Sequence, residues 1–129
     1  MKQANALNIA GTGFVVADGA GNFPTMTATD TSGAVLAVSF NTYIITTTCT
    51  STLPASPKNG DLIQYLVDTS SILTIQANTG QFIRIGTAKS ISAGICTNTF
   101  QGDSINLMYH IATTSWCALG SPEGSWIVT

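Results

Sequence analysis

The chain reads as all-β, and three features of its sequence predict this. No window carries the i, i+3, i+4, i+7 apolar stripe with end caps that a helix needs. Threonine is the commonest residue and gathers in β-branched runs, which make poor helix and good strand. Turn signals recur along the chain at the spacing of a sandwich or barrel.

The clearest stretch is TCTSTLPASPKNGDLIQYLVD, residues 48–68. Thr46, Thr47, Thr48, Cys49, Thr50 and Thr52 form a strand run that ends at Leu53. Pro54 and Pro57 deny ladder hydrogen bonds, so the chain must leave the sheet there. Asn59-Gly60 supplies the left-handed backbone of a hairpin-type reversal, and residues 61–67 run back as a strand.

The rest follows the same grammar. Residues 34–40 and 41–52 are the first strands of the body, and residues 71–77 follow the central stretch. Asn78-Thr79-Gly80 turns into a strand over 81–86, and a Ser/Thr/Gly-rich strand spans 89–97. Gln101-Gly102-Asp103 precedes a strand over 104–112, and strands over 115–119 and 125–129 end the chain. In the strand over 104–112, Ile105, Leu107, Tyr109 and Ile111 make an inward face, while Met108 shares the other face with Asn106 and His110. Leu73 and Ile75 point one way and Ile72 the other. Such two-faced strands suit a subunit interface better than open water.

Residues 1–33 differ. Their apolar pieces (Leu7 to Ala10, Phe14 to Val16, Met26 to Thr29) are short and separated by Gly-rich turns. Pieces this short cannot close a sheet, so residues 1–33 read as an extended arm with small hairpins and residues 34–129 as the body.

Composition bounds the function. One domain is the expectation for 129 residues, and only 8% of them are charged, against about 25% in ordinary soluble domains. A surface so poor in charge is expected to be covered by other chains. Lys2, Lys58, Arg84 and Lys89 are scattered and the net charge is −2, which argues against phosphate-driven nucleic-acid binding. No apolar run approaches a membrane span and the N-terminus lacks a signal-peptide pattern, so the expectation is a chain made in a cytoplasm, without membrane insertion.

Chemistry-bearing residues are sparse. Cys49, Cys96 and Cys117 are too far apart for a disulfide framework or zinc site and read as free thiols. Asp30-Thr31-Ser32-Gly33 has one residue too many for an aspartic-protease loop and reads as a turn. Gly11-Thr12-Gly13 lacks the third glycine of a dinucleotide fingerprint. His110 is the only histidine and has no acid at a telling spacing. Asp61 and Asp103 each follow a glycine and precede a strand, the place of a turn carboxylate that accepts backbone N–H bonds. No catalytic residue, metal ligand or cofactor is therefore expected. The one ligand lead is aromatic: Tyr109, Trp116 and Trp126 could stack on a sugar ring, although aromatics in a small β protein are more often core.

Several longer patterns carry a resemblance: Thr52 to Pro57 with Gly60-Asp61, Val67-Asp68-Thr69, Leu73 to Asn78, Gly80 to Gly86, Gly102 to Tyr109, Trp116, and Gly124 to Thr129. Together they resemble the C-terminal β-rich domains of phage tail-fibre and other virion-surface proteins, and of some bacterial fibre-like surface proteins. Leu7 to Gly13 with Val15 to Gly19 is similar to the shaft segments that precede such domains. The resemblance implies a jelly-roll-like β-sandwich assembled as a homotrimer. It implies a non-enzymatic part of the virion surface that either binds a host receptor, as a fibre head or knob, or decorates a capsid. The arm would then meet other virion proteins. The alternative is a carbohydrate-binding module or a bacterial surface adhesin using the same aromatics.

Overall fold

Short strands crossing repeatedly between two layers build the molecule. The computed structural model describes residues 27–129 together with the strands β1 (Leu7–Ile9) and β2 (Gly13–Val15), which pair antiparallel. The remaining strands are β3 (Thr27–Thr31), β4 (Val35–Leu36), β5 (Asn41–Ile45), β6 (Cys49–Thr52), β7 (Leu62–Val67) and β8 (Leu73–Gln76). They continue as β9 (Phe82–Ile85), β10 (Ala88–Lys89), β11 (Ile95–Asn98), β12 (Ser104–His110), β13 (Ser115–Ala118) and β14 (Trp126–Val128). A seven-stranded sheet has the order β10-β9-β13-β12-β7-β5-β3, and a five-stranded sheet the order β14-β11-β8-β6-β4. The protein is all-β, and among the described residues the only helical turn is a 3-10 turn at Ile111–Thr113.

From β3 to β8 the chain alternates sheets at every step, so each new strand lies parallel to the strand two before it. Two parallel ladders result, β3-β5-β7 and β4-β6-β8, in register through Thr29–Tyr43–Tyr65 and Val35–Ser51–Ile75. Parallel neighbours need a crossover, and here the crossover is simply a visit to the other sheet. After β8 the additions are mostly antiparallel: β11 on β8, β12 on β7, β13 on β12. The sheets are mixed, which departs from the antiparallel ladders of a jelly roll.

Threonine explains one expectation that the structure corrects. Residues 41–52 are not one strand; they break at 46–48 and continue in the other sheet. Both the amide and the hydroxyl of Thr46 donate to the Thr31 carbonyl at 3.0 Å. The Thr48 hydroxyl accepts the Ile72 N–H at 3.1 Å. Threonine hydroxyls thus serve the crossover as readily as β-branching serves a strand.

The reversal at residues 53–61 is also a crossover, not a hairpin, because β6 and β7 lie in different sheets. Gly60 does adopt the left-handed backbone, with φ of +89°. The Gln81 amide holds the loop by donating to the Pro54 and Ala55 carbonyls, each at 3.1 Å. The expected strand over 89–97 divides into β10 and β11 around a serine turn. There the Ser90 hydroxyl accepts the Ile83 N–H at 2.9 Å and donates to the Ile91 carbonyl at 2.8 Å. Ile111, expected inside, begins the 3-10 turn and is exposed.

The arm boundary moves as well. Thr27–Thr31 is a body strand, paired along its length with β5, so the body begins no later than residue 27. The expected small hairpins are represented by β1–β2. The rest of the expected arm, residues 1–6, 10–12 and 16–26, lies outside the described residues.

The core lies between the sheets. The seven-stranded sheet contributes Tyr43, Ile45, Ile63, Tyr65, Val67, Ile83, Ile105, Leu107, Tyr109 and Trp116. Facing them are Cys49, Leu73, Ile75 and Cys96. One buried hydrogen bond ties the layers, between the Ser51 and Tyr65 hydroxyls at 2.8 Å. This bond satisfies two polar groups that would otherwise be costly to bury.

Candidate functional site

Burial removes two of the three aromatics from any glycan platform. Trp116 sits in β13 with no exposed surface, its ring tilted against Tyr109 with centroids 5.2 Å apart. Its indole N–H donates to the Gln81 side-chain amide oxygen, Oε1, at 3.0 Å. Tyr109, in β12, is buried beside it. Trp126 is half-buried in β14, packs on the core and donates its indole N–H to the Glu123 carbonyl at 3.1 Å. A stacking platform needs open, coplanar faces, and this arrangement supplies a core pair and a flap.

Gln81 was not singled out from sequence. It joins the Trp116 ring to the loop after β6 through both ends of one amide. Its only sequence sign is a long polar side chain entering an apolar strand.

The carboxylates hold backbone. Asp103 is buried, and its Oδ2 accepts the N–H groups of Thr99 at 2.9 Å and Phe100 at 3.0 Å and the Thr99 hydroxyl at 3.3 Å. Asp61 Oδ2 accepts from the Lys58 N–H at 3.0 Å and the Ser39 hydroxyl at 2.8 Å. Both are turn carboxylates, as their Gly-Asp contexts suggest. Asp30 is exposed on the edge strand β3. His110 is exposed, with Nδ1 3.1 Å from the Thr113 hydroxyl. Asp103 and His110 sit at opposite ends of β12, roughly 23 Å apart at strand rise. Among the described residues, no three His, Cys, Asp or Glu side chains converge.

The three thiols are free, two buried and Cys117 half-buried. Burial pushes the Cys96 thiol from an ordinary 9.0 up to about 12. It raises Cys49 too, and it raises the Tyr65 phenol against the lowering effect of the Ser51 bond. Above pH 9 the unfolded chain therefore releases protons that the folded chain retains, and folding stability falls with pH. The expected result is a loss from pH 9 to about 12, at up to about 1.4 kcal/mol per pH unit for Cys96. Urea melts across this range check it; a flat profile above pH 9 would contradict the buried protonated thiols.

What remains exposed is a surface poor in charge. Among the strands of the two sheets, only β3, β9 and β10 contain Asp, Glu, Lys or Arg, namely Asp30, Arg84 and Lys89. All three belong to the outer parts of the seven-stranded sheet. The outer face of the five-stranded sheet presents the cross-strand rows Leu36–Thr52–Gln76–Ile95 and Thr50–Thr74–Thr97–Ile127. On the seven-stranded sheet, Leu62, Met108 and Cys117 form an outward row. A largely apolar depression of about 300 Å³ opens over Met108 and Cys117, rimmed by Asn59, Gly60, His110 and Leu119.

No protein-family model matches the chain, and no curated protein matches it.

Proposed function

We propose that this protein is a non-enzymatic structural part of a virion surface, a homotrimeric fibre head, knob or capsid-decoration protein of a phage. The observation that carries the self-assembling part of this reading is the outer face of the five-stranded sheet, whose strands contain no Asp, Glu, Lys or Arg and which exposes Leu36 and Ile127 at its two edges. A face this poor in charge is weakly solvated for a monomer, and a partner chain would cover it. The virion setting rests on the resemblance of the turn-and-strand patterns, which span most of the chain. In this reading residues 1–26 reach other virion proteins, and a host-surface protein or glycan is the external partner. No substrate is turned over. The carbohydrate-module alternative loses its main support with the burial of Tyr109 and Trp116.

Native mass tests the assembly. At micromolar concentration the protein should sediment at three times its 13.4 kDa chain mass, with a melting temperature that rises with protein concentration. A compact monomer whose melt is independent of concentration would refute the reading.

A further inference from the structure

We propose that Arg84 and Lys89 together form a binding site for a tetrahedral oxyanion, a phosphate or sulfate group free in solution or esterified on a saccharide. The proposal stands apart from the assembly reading.

The cations are scattered in sequence, yet the fold sets two of the chain's four Lys and Arg residues side by side. Arg84 on β9 and Lys89 on β10 are direct antiparallel partners, and both are exposed. Their side chains leave the same face of the sheet with Cβ atoms roughly 5 Å apart, where like charges are destabilising. The strands cannot splay to relieve the repulsion. Immediately after Lys89, the buried Ser90 is tied to Ile83 twice, by its N–H to the Ile83 carbonyl and by its hydroxyl from the Ile83 N–H, each at 2.9 Å. One lysine is enough to guard an edge strand such as β10 against stray pairing. A second cation opposite it adds repulsion without adding protection.

Among the described residues no carboxylate neutralises the pair. Asp30 lies on β3, the opposite edge of the sheet. Asp61 and Asp103 are committed to the backbone of their own turns. Arg84 is level with Met108 through Cys117, whereas Glu123 pairs with Ser104 and Asp68 lies beyond Leu66, the β7 partner of Ser104. That separation along β12 is roughly 13 Å at strand rise.

Both cations are held in place with donors to spare. Arg84 uses its Nε on the Gly86 carbonyl at 3.1 Å, which fixes the guanidinium plane and leaves its terminal nitrogens open. Lys89 Nζ stands 4.0 Å over the centre of the Phe82 ring, an attraction that orders the ammonium without consuming its hydrogen-bond donors. A guanidinium edge beside an ammonium matches the oxygens of a tetrahedral dianion, and charge-assisted bonds of this kind are the strong ones. Two cations suit a single such group. They are too few to follow a nucleic-acid backbone, whose affinity comes from many phosphate contacts.

Titration of the wild-type protein with inorganic phosphate, inorganic sulfate and glucose 6-phosphate, followed by NMR of the backbone amides at low salt, tests the site. Saturable shifts are expected at Arg84 and Lys89, with glucose as the uncharged control giving none. Arg84→Gln and Lys89→Gln should each weaken phosphate by about tenfold or more, while the charge-keeping Arg84→Lys and Lys89→Arg should lose less. Wild type should also gain melting temperature in phosphate over an equal ionic strength of chloride, by more than either glutamine variant gains. Tighter binding of glucose 6-phosphate than of phosphate would support the site and make the saccharide ester its ligand; equal binding would support it with the free ion as ligand. Shifts that do not saturate, or that survive both glutamine variants, would overturn the site. Glutamine variants that only aggregate, beside a wild type that binds no anion, would overturn it too and leave the pair as an edge guard.

Discussion

Replacing Trp116 with Ala is expected to cost about 4 kcal/mol, a large share of the roughly 5–15 kcal/mol by which a domain is stable. Trp116 heads the fully buried side chains and contacts the Tyr109 ring. Removing it leaves a cavity that two hydrogen-bonded sheets cannot collapse to fill. The loss is also polar, since the Gln81 oxygen would be left without its indole donor at a buried position. Trp116→Phe separates the two terms: it keeps most of the ring and should cost roughly 1–3 kcal/mol for the unsatisfied acceptor and lost volume. Trp126→Ala, at a half-buried edge position, should cost less than half as much as Trp116→Ala. Urea midpoints for the three variants decide it. Equal losses at the two tryptophans would mean that Trp116 is not the keystone of the core.

Asp103→Ala is expected to be nearly as damaging, by about 3 kcal/mol. Its carboxylate holds the turn between β11 and β12 through two backbone N–H groups and one hydroxyl. Hydrogen bonds to charged groups contribute roughly 1.5–3 kcal/mol each, and the buried donors left behind add a desolvation cost. The same carboxylate explains Gly124. A Cβ at Gly124 would fall on the Asp103 side chain, and the backbone there has φ of +83°, a conformation that L side chains rarely adopt. Gly124→Ala should therefore destabilise through both clash and strain. In an Asp103→Ala background the clash disappears and only the strain remains. The two substitutions should couple by more than about 0.5 kcal/mol in a double-mutant cycle. Strictly additive costs would show that Gly124 is glycine for its backbone alone.

Asp103 was legible in advance because Gly-Asp before a strand is a local signal, complete within a few residues. So were the inward faces of β12 and β8: Ile105, Leu107, Tyr109, Leu73 and Ile75 are all buried, as their alternation requires. The aromatics were not legible in the same way. A tryptophan has the same letter in a core and on a sugar platform, and what separates Trp116 from Trp126 is how many neighbours the fold brings to each. Gln81 is the sharper case. Its two partners lie in residues 54–55 and at residue 116, so nothing near it in sequence announces that its amide will be surrounded.

The sequence alone carried the all-β class, the place of most strands in the body, the inward faces of β8 and β12 up to Tyr109, and an exterior short of charge. Each of these depends on side-chain type and a two-residue period, which are local quantities. Folding in three dimensions settled that the β6–β7 reversal is a crossover, that β3-β5-β7 and β4-β6-β8 run parallel, and that residues 27–31 belong to the body. The physical reason is that alternation tells a strand which face to bury but says nothing about its neighbour. Pairing and direction are settled by closing loops between distant residues and filling one core from two layers, and that settlement belongs to the whole chain.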